Sequence, residues 1–162
     1  MAIGDVLGRM EHDDILLGVI AMQPEGTHFS SEDVAYGFRH AAASYPHLYS
    51  RLRAIADSEM PRPFMNNHMR DEITRRLHDR YGQNALERVR TVAGEMWQAV
   101  EGRREYYKQI LTRAIKAYYS GDGKGHAMAI LEIGALSPGY MEEACAIIDA
   151  LTFPRHQSTS AE

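Results

Sequence analysis

The sequence predicts an all-α fold, a single compact bundle of about six to eight helices around one long central helix. No segment alternates apolar and polar residues for long enough to indicate a β-strand. Helix start and stop signals recur along the chain, and apolar residues recur at three- and four-residue spacing over residues 84–119. With 44% hydrophobic and 25% charged residues among 162, the chain can bury a core of its own.

Helix starts are marked by side chains that accept hydrogen bonds from free backbone amides, or by a proline where no amide is needed. The first start lies at Asp13 or Asp14, before the apolar run at Ile15. The other starts are expected at Ser30 with Asp33, Ser44 with Pro46, Asn66 or Asn67, and Ser137 with Pro138. Helix ends are expected at Pro24 and Gly26, the prolines of residues 61–63, Gly82, and Gly121 to Gly125.

The longest expected helix runs from about Asn84 to Tyr119 and forms the centre of the bundle. Its apolar stripe comprises Val89, Trp97, Val100, Tyr107, Ile110, Leu111, Ala114, Ile115 and Tyr118. We expect one helical domain over residues 1–154. The alternative is a division of this domain into an N-terminal subdomain, 1–60, and a C-terminal bundle, 66–154. Residues 155–162 carry no apolar anchor and predict a flexible tail.

The apolar runs are far shorter than the roughly 20 residues that span a bilayer, so no membrane span is expected. The N-terminus has neither the basic start nor the long apolar stretch of a secretory signal, which predicts a cytoplasmic protein. Cys145 is the only cysteine, which excludes an internal disulfide and a thiolate metal cluster within one chain. Its apolar neighbours predict a place in the core.

The glycine-rich stretch "SGDGKGHAMAILEI", residues 120–133, is the segment that most resembles a ligand-binding motif. A phosphate-binding loop needs a preceding strand, wider glycine spacing and a Ser or Thr after the lysine, and none of these is present. A calcium loop places oxygen ligands at its first, third and fifth positions, but either register puts Lys124 among the ligands. The stretch therefore predicts a helix exit, with Gly121 or Gly123 in the left-handed conformation, and gives Lys124 and His126 no role.

Metal and catalytic motifs are missing from the sequence. Histidine occurs eight times, but no H-E-x-x-H is present and the single E-x-x-H joins Glu25 to His28 in a proline-glycine loop. Acidic pairs such as Glu101 with Glu105 have the spacing of an ordinary helix surface. We expect no metal, no cofactor and no enzymatic activity, and rank a metal-dependent enzyme third among the functions.

Charge is unevenly distributed along the chain, whose net charge is -4. Residues 1–34 and 121–162 are acidic, whereas residues 35–120 carry a net positive charge. All bases except Lys108, Lys116 and Lys124 are arginines, whose planar fork suits carboxylates and phosphates. Basic side chains that pair with neighbouring acids within the chain would explain the same pattern.

Aromatic residues are more numerous than one small core needs, and aromatics with arginine are enriched at binding hot spots. The first hypothesis is a small non-enzymatic regulatory or inhibitory protein that binds a protein partner, of the kind encoded on mobile elements or beside toxin and defence systems. A homodimer through the tyrosine-rich residues 106–119 is also expected. The residues proposed for partner binding are Arg51, Arg53, Arg70, Arg75, Arg76, Arg80, Tyr106 and Tyr107.

The alternative hypothesis is a nucleic-acid-binding regulator with a degenerate helix-turn-helix at about residues 15–55. The order of a first helix, a capped second helix and a third helix, "PHLYSRLRAI", resembles that of winged-helix regulators. The resemblance implies that the third helix, with Tyr49, Arg51 and Arg53, would enter the major groove. The arginines of residues 70–90 would then contact the phosphate backbone.

Overall fold

The computed structural model describes residues 4–24, 29–58 and 65–160, with side chains described as far as Leu151. Over these ranges it contains seven α-helices, two short 3-10 helices and no β-strand. The predicted all-α class, the number of helices and the long helix near residues 84–119 are confirmed. Within the described ranges, no helix combines the length and apolarity needed to cross a bilayer.

The helices are α1 (His12–Ala21), α2 (Ser31–Ser44), α3 (Tyr49–Asp57), α4 (Asn67–Tyr81), α5 (Gln83–Ser120), α6 (Gly123–Leu136) and α7 (Pro138–Ser160). The 3-10 helices are Val6–Gly8 and Pro46–Leu48, which precede α1 and α3. Helix α7 covers most of residues 155–162, whose flexibility stays a prediction. The predicted helix ends at Gly26 and at the prolines of residues 61–63 lie outside the described residues.

Several helix starts have the expected caps. Ser30 Oγ accepts a hydrogen bond from the Asp33 amide, and the Asp33 carboxylate accepts one from the Ser30 amide, which completes a capping box. Asn66 caps α4, and Ser137 Oγ accepts from the Tyr140 amide at the start of α7. Two starts differ from the prediction, since α1 begins earlier, at His12, and the 3-10 helix beginning at Pro46 separates α2 from α3.

The described residues fall into two compact units, one ending at Glu101 and the other beginning at Gly102. The boundary between these units lies inside α5. Helix α5 therefore supplies residues to both cores. The division near residues 58–67 that the proline-rich sequence suggests stays a prediction. The prediction of one domain over residues 1–154 stays a prediction.

The first unit packs α1, α2, α3, α4 and the first half of α5 around an apolar core. Trp97 of α5 is buried, stacks on Phe29 at 5.1 Å between ring centroids, and donates its indole N–H to the Val19 carbonyl of α1 at 3.0 Å. Gly18 of α1 allows close packing, because a Cβ there would lie 2.9 Å from Leu77 Cδ1. These contacts fix α1 against both α4 and α5.

The second unit consists of the end of α5, α6 and α7 around a small core. Its buried residues are Tyr107, Ile110, Ala114, Ala129, Ile133, Tyr140, Ala144 and Ile148. Tyr107 of α5 stacks on Tyr140 of α7, with ring centroids 4.4 Å apart and an angle of 12° between the rings. The three helices thus share one interior, which is much smaller than that of the first unit.

The glycine-rich stretch is the corner between α5 and α6, as the sequence predicts. Gly121 has a φ of 79°, a conformation that favours glycine, and Gly123 is the first residue of α6. Asp122 caps α6, since its Oδ1 accepts from the Gly125 amide at 2.9 Å. His126, which has no role in the sequence analysis, lies 3.0 Å through Nδ1 from the Ala114 carbonyl oxygen and joins α6 to α5.

The Asp122 cap at the corner between α5 and α6 can be tested by substitution. A Cβ on Gly125 would lie 2.2 Å from Asp122 Oδ2, so Gly125→Ala displaces the carboxylate and should lower the free energy of unfolding by about 1 kcal/mol or more. Gly123→Ala is the matched control, because a Cβ there meets no atom within 4 Å. Urea unfolding should show Gly123→Ala unchanged or slightly stabilised. Equal effects of the two substitutions would contradict this account of the cap.

Candidate interaction surface

Two of the arginines proposed for partner binding bond to backbone carbonyls of the first unit. Arg51 donates through Nη1 to the Met10 carbonyl at 2.5 Å, and Arg70 donates through Nη1 to the Gln23 carbonyl at 2.8 Å. Both side chains connect segments that are distant in the sequence. These two arginines therefore have a role within the first unit, whatever else they bind.

The remaining arginines of the set lie at the surface, and most have acidic partners within the chain. Arg53 bonds to Asp57 and Arg75 bonds to Glu72, each within its own helix. Arg80 of α4 bonds to Glu11 at 2.9 Å and to Asp14 at 3.1 Å, which ties α4 to α1. Among the described residues Arg76 alone of the six has no ion pair or hydrogen bond. Three of the six proposed arginines, Arg53, Arg75 and Arg80, are thus paired with carboxylates of the same chain.

The two tyrosines proposed for partner binding differ in burial. Tyr107 is 1% exposed, and burial together with the nearby Glu143 carboxylate raises the pKa of its phenol to about 12. Among the described residues, its hydroxyl has no hydrogen-bond partner of ordinary geometry in spite of that carboxylate. The placement of Tyr107 on a binding surface is therefore corrected: it is a core residue. Tyr106, one residue earlier and about 100° away around the helix, is 50% exposed and stays a candidate.

The expectation for Cys145 is also wrong, because its thiol-bearing side chain is exposed. The buried positions of α7 are Tyr140, Ala144 and Ile148, which repeat every four residues. Cys145 follows Ala144 and so lies about 100° away from the buried stripe. Its apolar neighbours in the sequence belong to different sides of the helix.

One cluster in the first unit has the residue types of a catalytic site. Asp5 Oδ2 accepts from Arg88 Nε at 2.9 Å and from Arg88 Nη2 at 2.6 Å, and lies 3.0 Å from His47 Nε2. Burial raises the pKa of Asp5, but the hydrogen bonds from Arg88 and His47 outweigh it and lower the pKa to about 2. The Arg88 guanidinium also lies over the Tyr45 ring, 4.8 Å from its centroid.

This arrangement suits a structural role better than a catalytic one. An aspartate with a pKa near 2 is a poor proton acceptor at neutral pH, and its side chain is only 8% exposed. The cluster connects the N-terminal segment to α5 and to the 3-10 helix before α3. Neither this cluster nor any other place in the described ranges brings three His, Cys, Asp or Glu side chains close enough together to share a metal ion.

The outer face of α6 is a further exposed surface. It contains none of the arginines and tyrosines that the sequence analysis proposes for partner binding. Met128 is 58% exposed and Leu131 is 70% exposed, and Ala127 and Ala135 beside them are exposed too. The opposite side of the same helix buries Ala129 and Ile133. Helix α6 therefore carries apolar residues on its outer side as well as its inner side, and on the outer side they are interspersed with the charged residues Lys124 and Glu132.

A groove runs beside this face, between α6 and the end of α5. It has a volume of about 530 Å³, and its walls are Arg113, Lys116, Ala117 and Ser120 of α5 and Gly125, Met128, Ala129 and Glu132 of α6. Each wall follows the i, i+3, i+4, i+7 spacing of one helix side. Arg113 and Glu132 form an ion pair across the groove. Tyr106 lies seven residues before Arg113 and so belongs to the same side of α5.

We call Met128, Leu131, Ala127, Ala135 and this groove the α6 surface. The stretch "AMAILEIGAL" is visible in the sequence as one of the longest apolar runs, too short to span a bilayer. In the sequence, an apolar residue that the fold buries looks the same as one that it leaves exposed. The number of helices packed around α6 is the information that the sequence lacks.

The Asp5 cluster predicts a defined pH dependence. A carboxyl group whose pKa falls on folding stabilises the native state above its unfolded pKa, and that contribution is lost as the pH falls through the folded value. As the pH falls from about 5 to about 2, the free energy of unfolding of the wild type should decrease by about 2 kcal/mol more than that of Asp5→Asn. Urea unfolding over this range measures it, with Asp13→Asn at an exposed position as the control. A constant difference between wild type and Asp5→Asn would contradict the assignment.

No protein-family model, curated protein or solved structure matches this chain. An all-α fold does not itself assign a function, since one fold supports many activities. The surface chemistry of the described residues therefore carries the functional argument.

Proposed function

We propose that this chain is a small non-enzymatic regulatory or inhibitory protein that acts by binding another protein at the α6 surface. The observation that carries the proposal is the exposure of Met128 and Leu131 on a helix whose opposite side is already buried. Contiguous exposed apolar residues next to a groove are typical of protein interaction sites.

The apolar character of the surface favours a protein partner over a nucleic acid. Removing Met128 and Leu131 from water would favour association by about 1 kcal/mol or more each, since complete burial of such side chains contributes about 1.5 to 3 kcal/mol. A phosphate backbone offers nothing to cover these side chains. Most of the arginines proposed for nucleic-acid contact instead bond to groups in the same chain.

The groove indicates how a partner would bind. Two parallel walls with helical spacing accept an amphipathic helix, which lays its apolar side into such a groove. Arg113, Lys116 and Glu132 at the rim would then fix its orientation through their charges. Tyr106 lies at the correct side of α5 to extend the contact.

The proposal is tested by affinity capture of the tagged full-length chain from its native cells, followed by mass spectrometry. Leu131→Glu places a charge in the proposed contact and should reduce the captured protein at least about tenfold. Met69→Glu is the matched control, because Met69 is also exposed, at 39%, but belongs to α4 in the first unit. Circular dichroism and urea unfolding should show both variants folded.

Three results would contradict the proposal. Equal capture by wild type and Leu131→Glu would remove the α6 surface from the binding site. Catalytic turnover by the purified chain would show that it is an enzyme. Recovery of nucleic acid in place of protein, with binding that weakens steeply with salt, would favour the nucleic-acid-binding alternative.

A further inference from the structure

We draw no further inference here: the strongest candidate, the outer side of α6 with the groove beside it, carries none, because Glu132 already pairs with Arg113 of the same chain and nothing in the structure shows what covers the exposed apolar side chains.

Discussion

The interaction on which the account depends is the packing of α6. This helix carries apolar residues on its inner and its outer side, but in the second unit only the end of α5 and helix α7 share its core. Small helical units bury a smaller share of their surface than large ones do. The second unit covers Ile133 and Ala129 and leaves Met128 and Leu131 in water. Removing those two side chains from water would favour the proposed association, and the groove beside them would provide a place for it.

The surface of the first unit differs, because it is rich in charged residues that pair with one another. The Asp5 carboxylate holds Arg88, and the Glu11 and Asp14 carboxylates hold Arg80. These ion pairs join segments more than 60 residues apart in the sequence, as the Arg80 bond to Asp14 does with a separation of 66. The acidic N-terminal segment therefore neutralises part of the basic middle. Exposed pairs of this kind contribute little stability each, but they do fix which segments are neighbours.

Much of the fold could be predicted from the sequence because helix signals are local. The capping box at Ser30 and Asp33 and the left-handed Gly121 depend on residues within one turn. The internal pairing of the basic segment was open as one of two interpretations. Its long-range partners, such as Asp5 for Arg88, could not be chosen, because any of the 22 acids could fill that role.

The candidate site was less predictable, because exposure depends on tertiary packing. Tyr106 and Tyr107 are adjacent in sequence, yet the tertiary structure buries only the second. Ala144 and Cys145 are also adjacent in sequence, and only Ala144 is buried. For α6 the sequence indicates the corner after α5 and an apolar run that follows it. It does not indicate that Met128 and Leu131 are exposed while Ala129 and Ile133 of the same helix are buried.

The most direct test of the central claim is thiol labelling of Met128→Cys in a Cys145→Ser background. A cysteine on an uncovered helix face reacts in the native state, whereas a buried cysteine reacts only when the chain opens. The account predicts that Met128→Cys reacts about as fast as Lys108→Cys, at an exposed position of α5, and that Ala129→Cys, at a buried position of α6, is protected. Protection of Met128→Cys to the level of Ala129→Cys in the purified chain would contradict the claim that the outer side of α6 is uncovered.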